Sequence, residues 1–224
     1  MNVVEPQVEI WFHLPQKVDG NGEFEGDPAH PEIFLEKAGR LCYKSEDKIT
    51  PDSAAAFIHM LDRRGHRAML EHCVASVKFI CDRGVSHELV RHRIASYAQE
   101  STRYCSYNKD KFGNQIAVIE PPFVKEGSNQ IWRETVQVIE DAYMRLTDAG
   151  EAAQLARSVL PISLKTEIWA TMNLREWQHV FGLRCATGAH PQIRALMLKT
   201  LDVFQVVVPS MFLELADRFG LNKK

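Results

Sequence analysis

Several absences narrow what this 224-residue chain can be. No apolar run approaches the roughly 20 residues that a membrane-spanning helix needs. The N-terminus also lacks the basic and apolar regions of a secretion signal, so a soluble cytoplasmic protein is expected. There is no basic excess: 27 Lys and Arg against 29 Asp and Glu leave a formal charge of -2. The chain as a whole therefore does not attract nucleic acid or anionic membrane, and any anion site must be local. Cysteine is sparse. Cys42, Cys73, Cys81, Cys105 and Cys185 are odd in number, scattered and without a C-x-x-C pair, which disfavours a disulfide framework or a zinc ribbon and points to reduced thiols. The stretch GNGEFEGD at 20–27 misses G-x-G-x-x-G spacing by one residue and is too acidic to cradle a phosphate. With 45% hydrophobic residues and no repeat, linker or low-complexity tract, one domain spanning 1–224 is expected.

What is present is two-residue alternation in some stretches and helical spacing in others. Val8, Ile10 and Phe12 read as a strand with one buried face. Thr50 and Pro51 predict the N-cap and first position of a helix carrying Phe57, Ile58 and Leu61, ended by Gly65. Ala75, Val77, Phe79 and Cys81 predict a strand, and Gly84 a turn into a helix capped by Ser86. Past Pro121 and Pro122, the positions Ile131, Thr135, Val138, Ile139, Ala142 and Leu146 share a helical face as far as Gly150, and a shorter helix is stopped by Pro161. Ile168, Ala170 and Met172 alternate as a strand, after which Asn173 and Glu176 make a capping-box-like helix start. Ile193, Leu196, Met197, Leu201 and Phe204 mark a longer helix, and Pro209 begins the last. Strands and helices that do not strictly alternate predict an α+β fold, with helices packed on a small mixed or antiparallel sheet.

The densest chemistry lies in SHELVRHRIASYAQESTRYCSY, from Ser86 to Tyr107, assigned to the helix after Gly84 and its continuation. Arg91, Arg93 and Arg103 with His87, His92, Ser96, Gln99 and Ser101 form a prospective anion site, since a guanidinium donates two parallel hydrogen bonds to phosphate and stays charged. The bland alternative is a surface pair of Glu88 and His92 on a helix with solvated arginines. A third reading, as nucleic-acid binding, would use Tyr97, Tyr104 and Tyr107 as stacking groups. A zinc-peptidase helix is excluded because Arg91 stands where H-E-x-x-H needs its second His.

Arg91, His92 and Arg93, followed seven residues later by Ser101, form R-H-R-x7-S, and on this signature the chain resembles the flavin-dependent thymidylate synthase family. The similarity continues through Arg103 and Tyr104, and recurs in LCYKS from Leu41, in G-H-x-x-x-L-E-H from Gly65 to His72, and between Arg157 and Arg194. The resemblance implies conversion of dUMP to dTMP with 5,10-methylenetetrahydrofolate as one-carbon donor and NADPH-reduced FAD as hydride source, releasing tetrahydrofolate. The Pro-Cys nucleophile of conventional thymidylate synthases is missing, which fits chemistry carried by a flavin. Uracil C5 is a weak nucleophile until its N3 and O4 region is polarised toward an enolate, and the resemblance places Arg184 there. Read without it, Arg184 is a helix-end arginine facing the C-terminal dipole. The family likeness further implies that Arg91, Arg103 and Arg157 hold dUMP, with Glu88, Leu89, Gln99, Glu100 and Ser101 around it. Ser101 joins Arg184 at the reacting centre as a binding and positioning group. FAD would be met by Ala68, Arg91, His92, Arg93, Gln99, Asn173, Leu174, Arg175 and His179, and no metal is implied.

The chain departs from the family pattern at several points. Ala68 stands where Ser or Thr is frequent, so its flavin contact would use the backbone. Ala98 and Gln99 replace a common Asn-Glu pair, His179 takes a position that can be Asn, and Gly188 and His190 replace a frequent His and Gln. Cys185 beside Arg184 is either a thiol made nucleophilic by the guanidinium or an inert buried cysteine. Because one chain of this size has little room for three ligands, the family's homotetramer with shared active sites is the expected assembly. A flavoprotein that merely oxidises NADPH remains the alternative within enzymes.

Overall fold

The computed structural model describes residues 1–222. Its strands are β1 (Asn2–Val3), β2 (Gln7–His13), β3 (Lys17–Val18), β4 (Phe24–Glu25), β5 (Val74–Asp82), β6 (Ser96–Gln99), β7 (Ala117–Val118) and β8 (Lys165–Asn173). Its helices are α1 (Pro31–Tyr43), α2 (Ser53–Arg63), α3 (Arg83–Leu89), α4 (Ser128–Asp148), α5 (Ala153–Ala156), α6 (Leu174–Arg184), α7 (Pro191–Val207) and α8 (Pro209–Arg218). The principal sheet has the order β2-β5-β8-β6; β1 pairs parallel with β7, and β3 antiparallel with β4. Helices on a small mixed set of sheets give the expected α+β class. Among the described residues, no helix is long and apolar enough to cross a membrane.

The central strands follow their sequence pattern. Thr166, Ile168, Ala170 and Met172 of β8 are buried and the residues between them only partly so. In β5, Ala75, Val77, Phe79 and Cys81 are buried, as alternation predicts. Leu174 N donates to Cys73 O at one end of the pair and Arg83 N to Leu164 O at the other, so β5 and β8 run in opposite directions.

The chain forms two compact units. Unit 1 comprises Met1–Val8, Lys78–Arg93 and Tyr97–Trp169; unit 2 comprises Glu9–Val77, Ile94–Ser96 and the residues from Ala170 onward. Unit 1 has its core at Tyr107, Ile116, Val118, Val136, Tyr143, Ala156 and Leu164. In unit 2, α1, α2, α6, α7 and α8 pack on one another. Their centre is an aromatic cluster in which Phe204 lies 4.8 Å from Phe12, 5.4 Å from Trp177, 5.1 Å from Phe181 and 5.2 Å from Phe212, centroid to centroid. The indole N–H of Trp177 is satisfied by Ala75 O at 3.0 Å.

Four local expectations need correction. Helix α2 begins at Ser53 with Asp52 as N-cap, because the Ser53 hydroxyl accepts from Thr50 N at 2.9 Å and closes Thr50 and Pro51 into a preceding turn. Helix α3 begins at Arg83, with no intervening turn, and is capped by Asp82, whose Oδ1 accepts from Val85 N at 2.8 Å. Ser86 lies inside that helix, and a Cβ on Gly84 would come within 2.9 Å of the capping oxygen, so the glycine makes room for the cap. Helix α3 ends at Leu89, which leaves Arg91, His92 and Arg93 in the following turn and His92 buried rather than on an exposed helix face. Finally, α4 buries Val136, Glu140 and Tyr143 while Ile131 and Val138 are each 68% exposed. Glu140 takes a core position because its carboxylate accepts the Ile116 N–H at 2.8 Å, a bond that rotates the apolar stripe away from the predicted face.

Phe204→Ala would remove the ring that four others touch, and the expected cost is about 3–5 kcal/mol of folding stability. A urea titration followed by circular dichroism measures it, and a loss below about 1 kcal/mol would show that the cluster is not the centre of unit 2.

Candidate functional site

The predicted substrate set, apart from Arg184, falls in unit 1, where short hydrogen bonds gather much of it. Tyr97 donates its hydroxyl hydrogen toward both Leu89 O at 2.7 Å and His92 O at 2.8 Å, tying the end of α3 and the turn beyond it to β6. Arg91 and Arg93 are exposed in this turn, and Glu88 is partly buried on the last turn of α3. Gln99 Nε2 donates to Ser86 Oγ at 2.9 Å and Thr166 Oγ1 at 3.1 Å. Ser101 opens a tight turn in which its carbonyl accepts from Tyr104 N and Cys105 N, and its hydroxyl accepts from Arg103 N at 3.3 Å. Arg157 reaches this turn, Nη1 donating to Thr102 Oγ1 at 3.1 Å. The structure thus brings Gln99, Glu100, Ser101, Arg103 and Arg157 together. Arg103 keeps an exposed guanidinium stacked 5.5 Å from the Tyr104 ring.

Unit 2 holds a cavity of about 740 Å³. Helix α6 supplies one wall because Asn173 caps it, Oδ1 accepting from Glu176 N at 2.9 Å, and the 3.6-residue repeat then points Arg175, Gln178, His179 and Gly182 in one direction. Asn173 and Glu176 also line the space, with His59 and Asp62 from α2, Arg67 and Glu71 from within the G-H-x-x-x-L-E-H stretch, and Ser210, Glu214 and Arg218 from α8. Its charges are nearly balanced by pairing: Arg67 with Asp62 at 2.7 Å, Arg175 with Glu71, and His59 with Glu214 at 2.8 Å. The Arg175–Glu71 pair is half-exposed, so it is worth under about 1 kcal/mol and an incoming anion can replace Glu71. Burial raises the Glu176 carboxyl above its ordinary range against the pull of His179 and Arg175. Gln178 Oε1 and Ser210 Oγ are buried on this wall without a hydrogen-bond partner among the described residues, although Gln178 Nε2 is bonded to Asp62 and Met211 O. Together these groups suit a polar ligand with anionic and hydrogen-bonding parts.

The other predicted residues of unit 2 lie off the cavity lining. Leu174 is buried, its N–H bonded to Cys73 O, and Ala68 is exposed at the start of the short 3-10 turn Ala68–His72 that packs on α6. Arg184 is the last residue of α6, the helix-end position read from its spacing. His66 bonds Tyr43 OH through Nδ1 at 2.6 Å. Sequence reasoning missed His59, Gln178, Ser210, Glu214 and Arg218, which carry no motif and approach only when α2, α6 and α8 pack. Arg67 was within reach of notice, since it stands inside the G-H-x-x-x-L-E-H stretch. For the nucleic-acid reading, Tyr107 is buried and the Tyr97 hydroxyl is committed internally, which leaves Tyr104 as the one fully presented ring of the three.

All five cysteines are free thiols. Burial pushes the Cys185 thiol up to about 12, with Arg194 pulling weakly the other way, and raises Cys81 to about 12 and Cys73 to about 11. Cys185 is therefore a neutral thiol at working pH and not the activated nucleophile that its neighbour Arg184 suggested.

Residues 27–210 match the family model described as thymidylate synthase complementing protein. The flavin-dependent thymidylate synthase of Geobacter sulfurreducens is 39% identical over 193 residues, covering 81% of this chain and 81% of its own length. The enzyme of the same name from Corynebacterium aurimucosum is 34% identical over 222 residues, with 90% and 86% covered. Among solved structures, the UMP/dUMP methylase PolB of Streptomyces cacaoi, crystallised with 5-Br dUMP, superposes with a TM-score of 0.73 at 24% identity over 98% of each chain, a likeness of fold.

Brief treatment of the native protein with iodoacetamide at pH 8 should alkylate the exposed Cys42 and spare Cys73, Cys81 and Cys185, because burial both shields these three sulfurs and disfavours their thiolates. Peptide mass spectrometry reads the result; modification of Cys185 as fast as Cys42 would return it to the list of candidate nucleophiles.

Proposed function

The chain belongs to the flavin-dependent thymidylate synthase family, and from that premise we propose how its residues divide the reductive methylation of dUMP to dTMP. The one-carbon unit comes from 5,10-methylenetetrahydrofolate, which leaves as tetrahydrofolate. FAD, once reduced by NADPH, supplies the hydride that completes the methyl group. The protein contributes binding, orientation and electrostatics.

Arg91, Arg103 and Arg157 hold the dUMP phosphate and its surroundings, where exposed guanidinium forks can exchange water for phosphate oxygens. Glu88, Leu89, Gln99 and Ser101 complete the nucleotide site, with Glu100 in the same segment between Gln99 and Ser101. What supports this is the hydrogen-bonded turn of Ser101, Thr102 and Arg103 with Arg157 reaching it, which presents two exposed guanidiniums in a chain with no overall positive charge. Arg184 polarises the uracil N3 and O4 region, accepting the developing negative charge without giving up a proton. FAD is held by Asn173, Leu174, Arg175 and His179, by the backbone of Ala68, and by Arg91, His92, Arg93 and Gln99. What supports the flavin part is the cavity that Asn173, Arg175 and His179 line: its arginines can take up a diphosphate in exchange for exposed ion pairs, and the buried Gln178 Oε1 and Ser210 Oγ can serve polar edges of the dinucleotide.

Residues 1–224 are read as one catalytic domain, since β2, β5, β6 and β8 each have residues in both units. The working form is a cytoplasmic homotetramer that shares active sites between subunits. Its supports are the free thiols and the apolar residues Ile131 and Val138 left exposed on α4. Light scattering at micromolar protein should give a tetramer, and a monomer would count against shared sites.

Incubation with FAD, NADPH, methylenetetrahydrofolate and dUMP tritiated at C5 should release tritium and form dTMP, both requiring FAD and NADPH. Flavin binding without either signal would favour the NADPH-oxidising alternative. Arg184→Ala should lower turnover by about 10²–10³ while FAD remains bound; near-normal turnover would remove Arg184 from the mechanism.

A further inference from the structure

Glu100 stands between Gln99 and Ser101, two residues of the proposed nucleotide site, and all four of its polar groups are engaged. Its N–H donates to Glu167 O at 2.9 Å, and its carbonyl accepts from Arg83 Nη2 at 2.8 Å. Its carboxylate accepts from Lys165 Nζ at 3.3 Å through Oε2 and from Tyr107 OH at 3.3 Å through Oε1. Lys165 in turn bonds Glu167, which also pairs with Lys78 at 2.6 Å, giving the charge sequence Lys78, Glu167, Lys165, Glu100. The Lys165 and Glu100 side chains are only 18% and 14% exposed, so the pair is shielded from the solvent screening that weakens surface ion pairs. The hydrogen bonds from Lys165 and Lys78 hold the Glu167 carboxyl below its ordinary range, and burial holds the Tyr107 phenol well above its own, so Glu167 stays an acceptor and Tyr107 a donor at working pH.

This arrangement sets direction as well as position. Successive residues of an extended segment point to opposite sides, so anchoring Glu100 toward Lys165 sends Gln99 toward Ser86 and Thr166. Ser101 follows at once and starts its turn from a carbonyl and N–H whose neighbour is immobilised. Resting on the nucleotide-binding reading above, we infer that Glu100 is a positioning residue rather than a substrate contact. The side chains of Arg83, Tyr107 and Lys165, with the Glu167 backbone, form a clamp that fixes the segment from which Ser101 starts its turn toward dUMP, while Gln99 stays tied to Ser86 and Thr166. Nothing in the family motif singles out Lys165 or Tyr107 for this part.

The test uses FAD-loaded protein and compares Lys165→Met, Lys165→Arg and Tyr107→Phe with the unsubstituted chain. Calorimetric titration of dUMP, the dUMP KM and kcat from tritium release, bound-flavin absorbance and thermal midpoint are read together. Lys165→Met is expected to raise the dUMP Kd and KM about tenfold, with kcat changed by less than about threefold and flavin content unchanged. Lys165→Arg, which restores a cation, should recover most of that loss, as a merely space-filling role would not require. Unaltered dUMP affinity in Lys165→Met overturns the clamp. Should that variant not fold, Tyr107→Phe decides: it removes one bond and no charge, and an unchanged dUMP KM would equally overturn the inference. An unsubstituted protein that neither binds dUMP nor releases tritium overturns the functional reading itself, and does so before any substitution is made.

Discussion

Two side-chain caps at the ends of two neighbouring strands organise this molecule. Strand β5 ends at Asp82 and β8 at Asn173, and each of these residues turns an oxygen back onto the N–H three positions later, at 2.8 Å to Val85 and 2.9 Å to Glu176. An extended chain of buried and partly buried positions becomes a helix at the next residue, with no loop in which the direction could vary. The first N–H groups of a helix have no partner inside it, and a short acceptor in β conformation at the N-cap removes that deficit. Because β5 and β8 are paired and run in opposite directions, α3 and α6 each start from a fixed strand end.

The chemistry then follows from helix geometry. From Asn173, the repeat of α6 carries Arg175, Gln178 and His179 to the cavity and delivers Arg184 at the last turn, where the helix dipole also favours a cation. From Asp82, α3 runs only to Leu89, so the arginines at 91 and 93 sit in a turn held to β6 by the Tyr97 hydroxyl. A longer α3 would have put Arg91 and Arg93 on a solvated helix face. The early stop is what makes them part of a loop that a phosphate can approach.

Much of the fold was legible because the core strands and helices obey simple periodicities. The alternation at 168, 170 and 172, the Asn173 start, the apolar positions of α7 and the breaks at Gly65, Gly150, Pro161 and Pro209 are all found where the residues indicated. The failures have a common cause, competition between acceptors. Asp82 displaced Ser86 as a cap, Ser53 drew Thr50 into a turn, and Glu140 occupied a core position because a distant backbone N–H, that of Ile116, needed its carboxylate. Such choices depend on which acceptor is nearer in space, and one-dimensional spacing carries no such distance.

Residue identity alone was enough to assign the family, the reaction and the arginine-rich motif, since R-H-R-x7-S and the ordered blocks around it involve no distances. It also determined the class of fold, because amphipathic period is a property of the chain. Packing was needed to show that Cys185 is a buried neutral thiol, that His59, Gln178, Ser210 and Arg218 share a cavity with Arg175 and His179 of α6, and that Glu100 is clamped by Lys165 and Tyr107. The physical reason is the same in each case: desolvation and hydrogen bonding depend on neighbours far away in sequence, and those neighbours exist only after the chain has packed.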